Sequence, residues 1–116
     1  MSKPRVLFLD DDDVNLLTFG ALLDDAGYDV VSRSTVPDAR RTANTERFDL
    51  AVLDVHVGDQ LGTQLIPELR ALFPRIIIVV LSGSMTERNV AGADLVLPKA
   101  DDPGEALAAI ARVRAR

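Results

Sequence analysis

Four aspartates in a row, Asp10 to Asp13, stand directly after the apolar run Val6-Leu7-Phe8-Leu9. Asp54 ends a second aliphatic run, Leu50-Ala51-Val52-Leu53; Ser82 ends a third, and Pro98-Lys99 ends a fourth. Carboxylates held close together repel, so one keeps a proton or they share a cation. The chain has no cysteine and a single histidine, His56, so a soft or multi-histidine metal site is excluded. Hard oxygen donors instead suit Mg²⁺ or Mn²⁺. Mg²⁺ commonly bridges carboxylates and phosphate oxygens, and an aspartate can attack phosphorus as a nucleophile. An ammonium, a hydroxyl and a metal would then stabilise the equatorial oxygens of the transferring group.

Each residue also has a plainer reading. Asp12 and Asp13 can simply cap the next helix. Ser82 by itself is a loop serine, and Lys99 by itself a solvated charge. Asp54 is less easily dismissed, because it ends an aliphatic strand and would be partly buried. The chemistry requires that all these positions meet, so the elements that carry them decide the matter.

Val6–Leu9 reads as a strand buried on both faces. Leu16, Phe19, Leu23 and Ala26 fall at helical spacing from Val14 onward, with Gly27 as the stop. Tyr28–Val31 is a second strand, and Pro37 opens a helix that runs to about Asn44 or Thr45. Leu50–Leu53 is the third strand. Leu61, Leu65, Leu69, Leu72 and Phe73 mark a helix in which Pro67 implies a late start or a kink. Ile76–Leu81 is the clearest strand, being wholly aliphatic. Thr86–Ala91 leaves room for one or two helical turns, and Asp94–Leu97 is a short fifth strand. Asp102, Pro103 and Glu105 begin a last helix carrying Leu107, Ile110 and Val113; Arg112, Arg114 and Arg116 close it favourably for its dipole.

Strand and helix thus alternate five times, which predicts an α/β, doubly wound, open sheet of five parallel strands with helices on both faces. Sites in such sheets form beyond the carboxyl ends of the strands. Asp10, Asp11, Asp54, Ser82 and Lys99 all stand at such ends.

The 116 residues are one domain's worth, spanning 1–116, and 47% are hydrophobic, enough for a sizeable core. The net charge of −5 argues against nucleic-acid binding and for holding cations. No apolar run approaches a membrane span, and the four apolar residues after the basic start are too few for a signal peptide. A cytoplasmic location is the expectation.

With these elements in place, the chain resembles the receiver domain of two-component response regulators. The matching pieces are Val6-Leu7-Phe8-Leu9-Asp10-Asp11, Ala26-Gly27-Tyr28-Asp29-Val30, Phe48 to Asp54, Leu61-Gly62, Val80-Leu81-Ser82-Gly83, and Gly92-Ala93-Asp94 before Pro98-Lys99. The resemblance implies a flavodoxin-like fold with strand order 2-1-3-4-5, and makes Asp54 the phosphoacceptor, taking its phosphoryl group from a histidine kinase, a phosphotransfer protein or a small donor. It implies Mg²⁺ (or Mn²⁺) held by Asp11 directly, Asp10 through water, Asp54, and the backbone carbonyl of His56. Ser82 would bind a phosphoryl oxygen, and Lys99 would pair with Asp54 or its phosphate. The implied protein is no enzyme toward outside substrates. Its partners would be the kinase and an unnamed downstream protein or output domain, with a homodimer possible.

Four features depart from the family pattern. Val57-Gly58 stands where methionine and proline are usual. Val96 occupies the position of the switch aromatic. Ala100 follows Lys99 in place of a cis proline; a non-proline cis bond costs about 2.5–4 kcal/mol, so a trans bond or a strained site is expected. The Ser82–Lys99 stretch is short by about a turn and a half of helix, so the fourth helix should be cut down or absent. These changes spare the acidic residues and alter the output face.

Two other readings compete. A pseudo-receiver would keep the fold and bind partners without phosphorylation. A small haloacid-dehalogenase-type phosphatase would use Asp10 as nucleophile and Asp12 as acid/base, through Asp10-Asp11-Asp12-Asp13-Val14, but would leave Asp54 without a role.

Overall fold

The computed structural model describes residues 3–83, 90–99 and 102–116. Its elements run β1 (Arg5–Leu9), α1 (Asp13–Asp25), β2 (Asp29–Arg33), α2 (Val36–Ala43), β3 (Leu50–Asp54), β4 (His56–Val57), β5 (Gln60–Leu61), a 3₁₀ turn (Gly62–Leu65), α3 (Ile66–Leu72), β6 (Ile77–Ser82), β7 (Leu95–Pro98) and α4 (Pro103–Arg114). Five strands form a parallel sheet in the order β2-β1-β3-β6-β7. With the small β4–β5 hairpin set aside, this is the predicted 2-1-3-4-5 order.

Alternation along each strand feeds two core layers. Val6 and Phe8 of β1 point to one face, where Leu23 and Ile110 bring in α1 and α4. Leu7 and Leu9 point to the other, against Val36, Ala39, Leu65 and Leu69. All four β1 side chains are fully buried, and each such burial is worth roughly 1.5–3 kcal/mol. The central strands are therefore apolar on both sides, as their continuous aliphatic runs require.

Helix ends follow the sequence signals. The Asp12 carboxylate accepts the Val14 N–H at 2.9 Å and starts α1, and Gly27 follows the helix at φ +100°. Thr35 caps α2, with Pro37 in its first turn. Asp102 accepts the Gly104 N–H and starts α4. Several boundaries differ from expectation. β2 begins at Asp29 and runs on to Arg33, because it pairs with β1 along its whole length. α2 stops at Ala43, with Asn44 as its cap.

The larger correction lies after β3. No helix begins at Leu61: that residue belongs to β5. The 3₁₀ turn follows, and α3 starts only at Ile66, with Pro67 in its first turn. This is the late start the proline allowed, since only there does its missing N–H cost nothing. The expected helical turns at Thr86–Ala91 fall mostly on residues 84–89, outside the described residues. Ala100 lies outside them too, and no cis peptide bond occurs among the residues described.

Candidate functional site

The carboxyl ends of β1, β3, β6 and β7 lie side by side through the sheet's register. The Asp10 N–H donates to the Arg33 carbonyl at 3.2 Å, extending the β1–β2 ladder by one residue. Its side chain is fully buried. One carboxylate oxygen accepts the Asp12 N–H at 2.9 Å. The other lies 3.2 Å from Lys99 Nζ and 3.4 Å from Asn15 Nδ2. Asp54 is the last residue of β3 and only 4% exposed, more deeply buried than the sequence suggested. Its Oδ2 accepts Lys99 Nζ at 2.9 Å. Lys99 is set in place by its own backbone, whose N–H donates to the Ser82 carbonyl at 2.8 Å. Ser82, the end of β6, is buried.

Asp11 is exposed, and its Oδ2 accepts the Gly58 N–H at 2.8 Å. Asp10, Asp11 and Asp54 each offer a carboxylate oxygen, all within 4.8 Å of one another. Two of these carboxylates, Asp10 and Asp54, share the Lys99 ammonium. This hard, oxygen-only donor set fits a divalent cation such as Mg²⁺ and would accommodate Mn²⁺. Asp12 and Asp13 stay out of the cluster, one capping α1 and the other opening it. His56 opens the hairpin with its side chain exposed.

Electrostatics follow from this crowding. Burial pushes the Asp54 carboxyl above its ordinary value, and the Asp10 charge adds to the push; the bond from Lys99 opposes both without cancelling them. For Lys99, burial works against the ammonium, but the Asp54 bond and the Asp10 charge outweigh it and raise the lysine.

Three supporting residues carry no chemical signature in the sequence. Asn15 sits in the first turn of α1 and reaches back to Asp10. Gly58, at φ +63°, presents its N–H to Asp11. Gly62 packs so closely that a Cβ there would lie 2.0 Å from the Asp54 carbonyl oxygen. A polar residue early in an apolar-periodic helix hinted at Asn15. The Gly62 approach is visible only in the packing.

The family model for the response regulator receiver domain matches residues 6–111. The alginate biosynthesis transcriptional regulatory protein AlgB of Pseudomonas aeruginosa is 32% identical over 78 residues, 67% of this chain and 17% of that protein. The chain therefore spans about a sixth of that curated relative. A CheY-like receiver domain protein from Methanospirillum hungatei superposes with a TM-score of 0.85 at 27% identity, covering 96% of this chain and 93% of the other. A Burkholderia pseudomallei response regulator, whose structure holds a phosphorylated aspartic acid, a calcium ion and citrate, superposes at 0.81 with 30% identity, covering 97% and 71%.

Proposed function

We propose that this chain, which belongs to the response regulator receiver domain family, accepts a phosphoryl group on Asp54 from a histidine kinase or phosphotransfer protein and thereby switches its binding to a downstream protein or output domain. The observation that carries this reading is the placement of Asp54. It is buried at a strand end, bonded to Lys99, and within 4.8 Å of the Asp10 and Asp11 carboxylate oxygens.

The roles follow from position. An Asp54 carboxylate oxygen attacks phosphorus as the bond from phosphorus to the donor's leaving group breaks. Lys99 holds that carboxylate beforehand and stays beside the added phosphoryl oxygens as a positive charge. The Ser82 hydroxyl, at the end of the neighbouring strand, donates to one of those oxygens. Asp10, Asp11, Asp54 and the His56 backbone carbonyl would hold Mg²⁺ or Mn²⁺, which supplies charge stabilisation to the phosphoryl oxygens when bound. Asp10 suits a supporting role better than a nucleophile's, since both its oxygens already accept hydrogen bonds. That weighs against the phosphatase reading.

The described residues contain no helix long and apolar enough to cross a membrane, and a cytoplasmic location belongs to the same reading. Val96 is an aliphatic residue packed against the core, so an aromatic switch is not available to transmit the signal. This observation favours the pseudo-receiver as the second reading.

Intact mass after incubation with acetyl phosphate, with and without Mg²⁺, tests the choice. A single phosphoryl adduct that requires Mg²⁺ and is absent in Asp54→Asn supports the receiver reading. Donor turnover lost only in Asp10→Asn would move the assignment to the phosphatase. No adduct, together with no Mg²⁺ binding by titration, would leave the pseudo-receiver.

A further inference from the structure

The β4–β5 hairpin ends in a two-residue loop, Gly58-Asp59, between the paired residues Val57 and Gln60. Gly58 has φ +63°, while no residue other than glycine has positive φ among those described. Glycine at the first central position followed by a residue of negative φ is the signature of a type II′ turn. The hairpin is anchored on both sides: Val57 is buried, and the Gly62 N–H donates to the Val55 carbonyl at 2.8 Å. The turn thus holds the Gly58 N–H still, and that N–H meets Asp11 Oδ2 at 2.8 Å, across 47 positions of sequence.

Asp11 is the exposed member of the three-carboxylate cluster. An exposed carboxylate free to rotate would lose rotamer entropy on taking a metal, whereas one tied by a single oxygen keeps the other oriented. Outer partners of this kind commonly change metal affinity by about 10–100-fold when removed. We propose that Gly58 is a positioning residue: its backbone N–H holds one Asp11 oxygen so that the other is presented to the metal, which makes the hairpin loop part of the cation site. The proposal rests on the metal reading above. It uses a donor that only a residue with an N–H and tolerance of positive φ can supply here.

The test replaces the Gly58 amide by an ester, using glycolic acid at that position, which deletes the N–H and keeps the backbone free to turn. Mg²⁺ binding is measured by titration for wild type, the ester and a protein with D-alanine at position 58, because D-alanine keeps the N–H and favours the positive φ of this turn position. The expected result is an Mg²⁺ dissociation constant about 10-fold weaker in the ester and near wild type with D-alanine at position 58. The Gly58 amide should also stay protected from hydrogen exchange when Mg²⁺ saturates the protein. Equal affinity in ester and wild type overturns the proposal while leaving the metal reading intact. Tighter binding in the ester, or loss of Gly58 protection on adding Mg²⁺, also overturns it, because the bond would then compete with the metal. Failure of wild type to bind Mg²⁺ at all overturns both. Thermal melts of the metal-free proteins separate out a purely structural bond, which would lower the ester's melting temperature without moving its Mg²⁺ affinity.

Discussion

Asp54 is a buried aspartate and Asp94 a partly buried one, at opposite ends of the same sheet, yet their carboxyls are pushed in opposite directions. Burial opposes the charge of both. At Asp94 the Ile78 N–H donates at 2.8 Å and Arg70 Nη2 at 2.7 Å, and together they hold the carboxyl below its ordinary value. Arg70 also donates to the Gly92 and Ile76 carbonyls, so Asp94 belongs to a closed clamp joining α3 to the ends of β6 and β7. At Asp54 a single lysine is shared with Asp10, and burial prevails. One site is matched within the protein; the other holds a surplus of negative charge. A surplus maintained in a buried setting is what a cation or a transferred group must complete.

The largest expected effect comes from breaking the crowded site alone. Gly62→Ala would drive a methyl group into the Asp54 carbonyl, displacing β3 or the turn. Loss of phosphoryl uptake and destabilisation by about 3 kcal/mol are expected; intact mass and urea unfolding check them, while the Arg70–Asp94 clamp stays in place. Next, Mg²⁺ at about 100 times its dissociation constant should stabilise the wild type by about 2.7 kcal/mol. That gain should shrink sharply in Asp11→Asn, and thermal melts measure both.

Breaking the matched site should cost somewhat less. Asp94→Ala removes a charged acceptor from an N–H and a guanidinium, and a loss of roughly 1.5–3 kcal/mol is expected in urea. Because its folded-state carboxyl lies below the ordinary value of 3.8, that contribution is complete above this value. It fades as pH falls through the depressed one, so wild type and variant should converge in strong acid. The smallest effect sharpens the contrast by its sign. Asp54→Asn in the metal-free protein should be slightly more stable than wild type at neutral pH. A raised carboxyl binds its proton more tightly when folded, so wild-type stability falls as pH climbs from 3.8 through the raised value. The variant's advantage should therefore vanish below the ordinary carboxylate range, as melts across pH would show.

Much of this was readable before the fold was seen. The aliphatic runs at Val6, Leu50 and Ile76 are buried on both faces, so their composition announced parallel strands directly. Their last residues then named the candidates, because strand ends in such a sheet share one edge. The region after Asp54 was less legible. Leu61, Leu65 and Leu69 keep a helical period, but a period cannot report that Gly58 turns the chain or that Gly62 must press against the Asp54 carbonyl.

Sequence alone determined the alternation of strand and helix, the residue types at the carboxyl edge of the sheet and the surplus of carboxylates, since these depend on local pattern and on composition. Tertiary structure alone decided how four adjacent aspartates divide their work. Asp10 is buried against Lys99, Asp11 is held by Gly58 from the far side of the chain, Asp12 caps α1 and Asp13 enters it. The physical reason is that identical side chains on consecutive residues differ only in direction. Direction is set by where β1 stops, where α1 starts, and which distant N–H or ammonium the fold brings within 3 Å or so of each carboxylate.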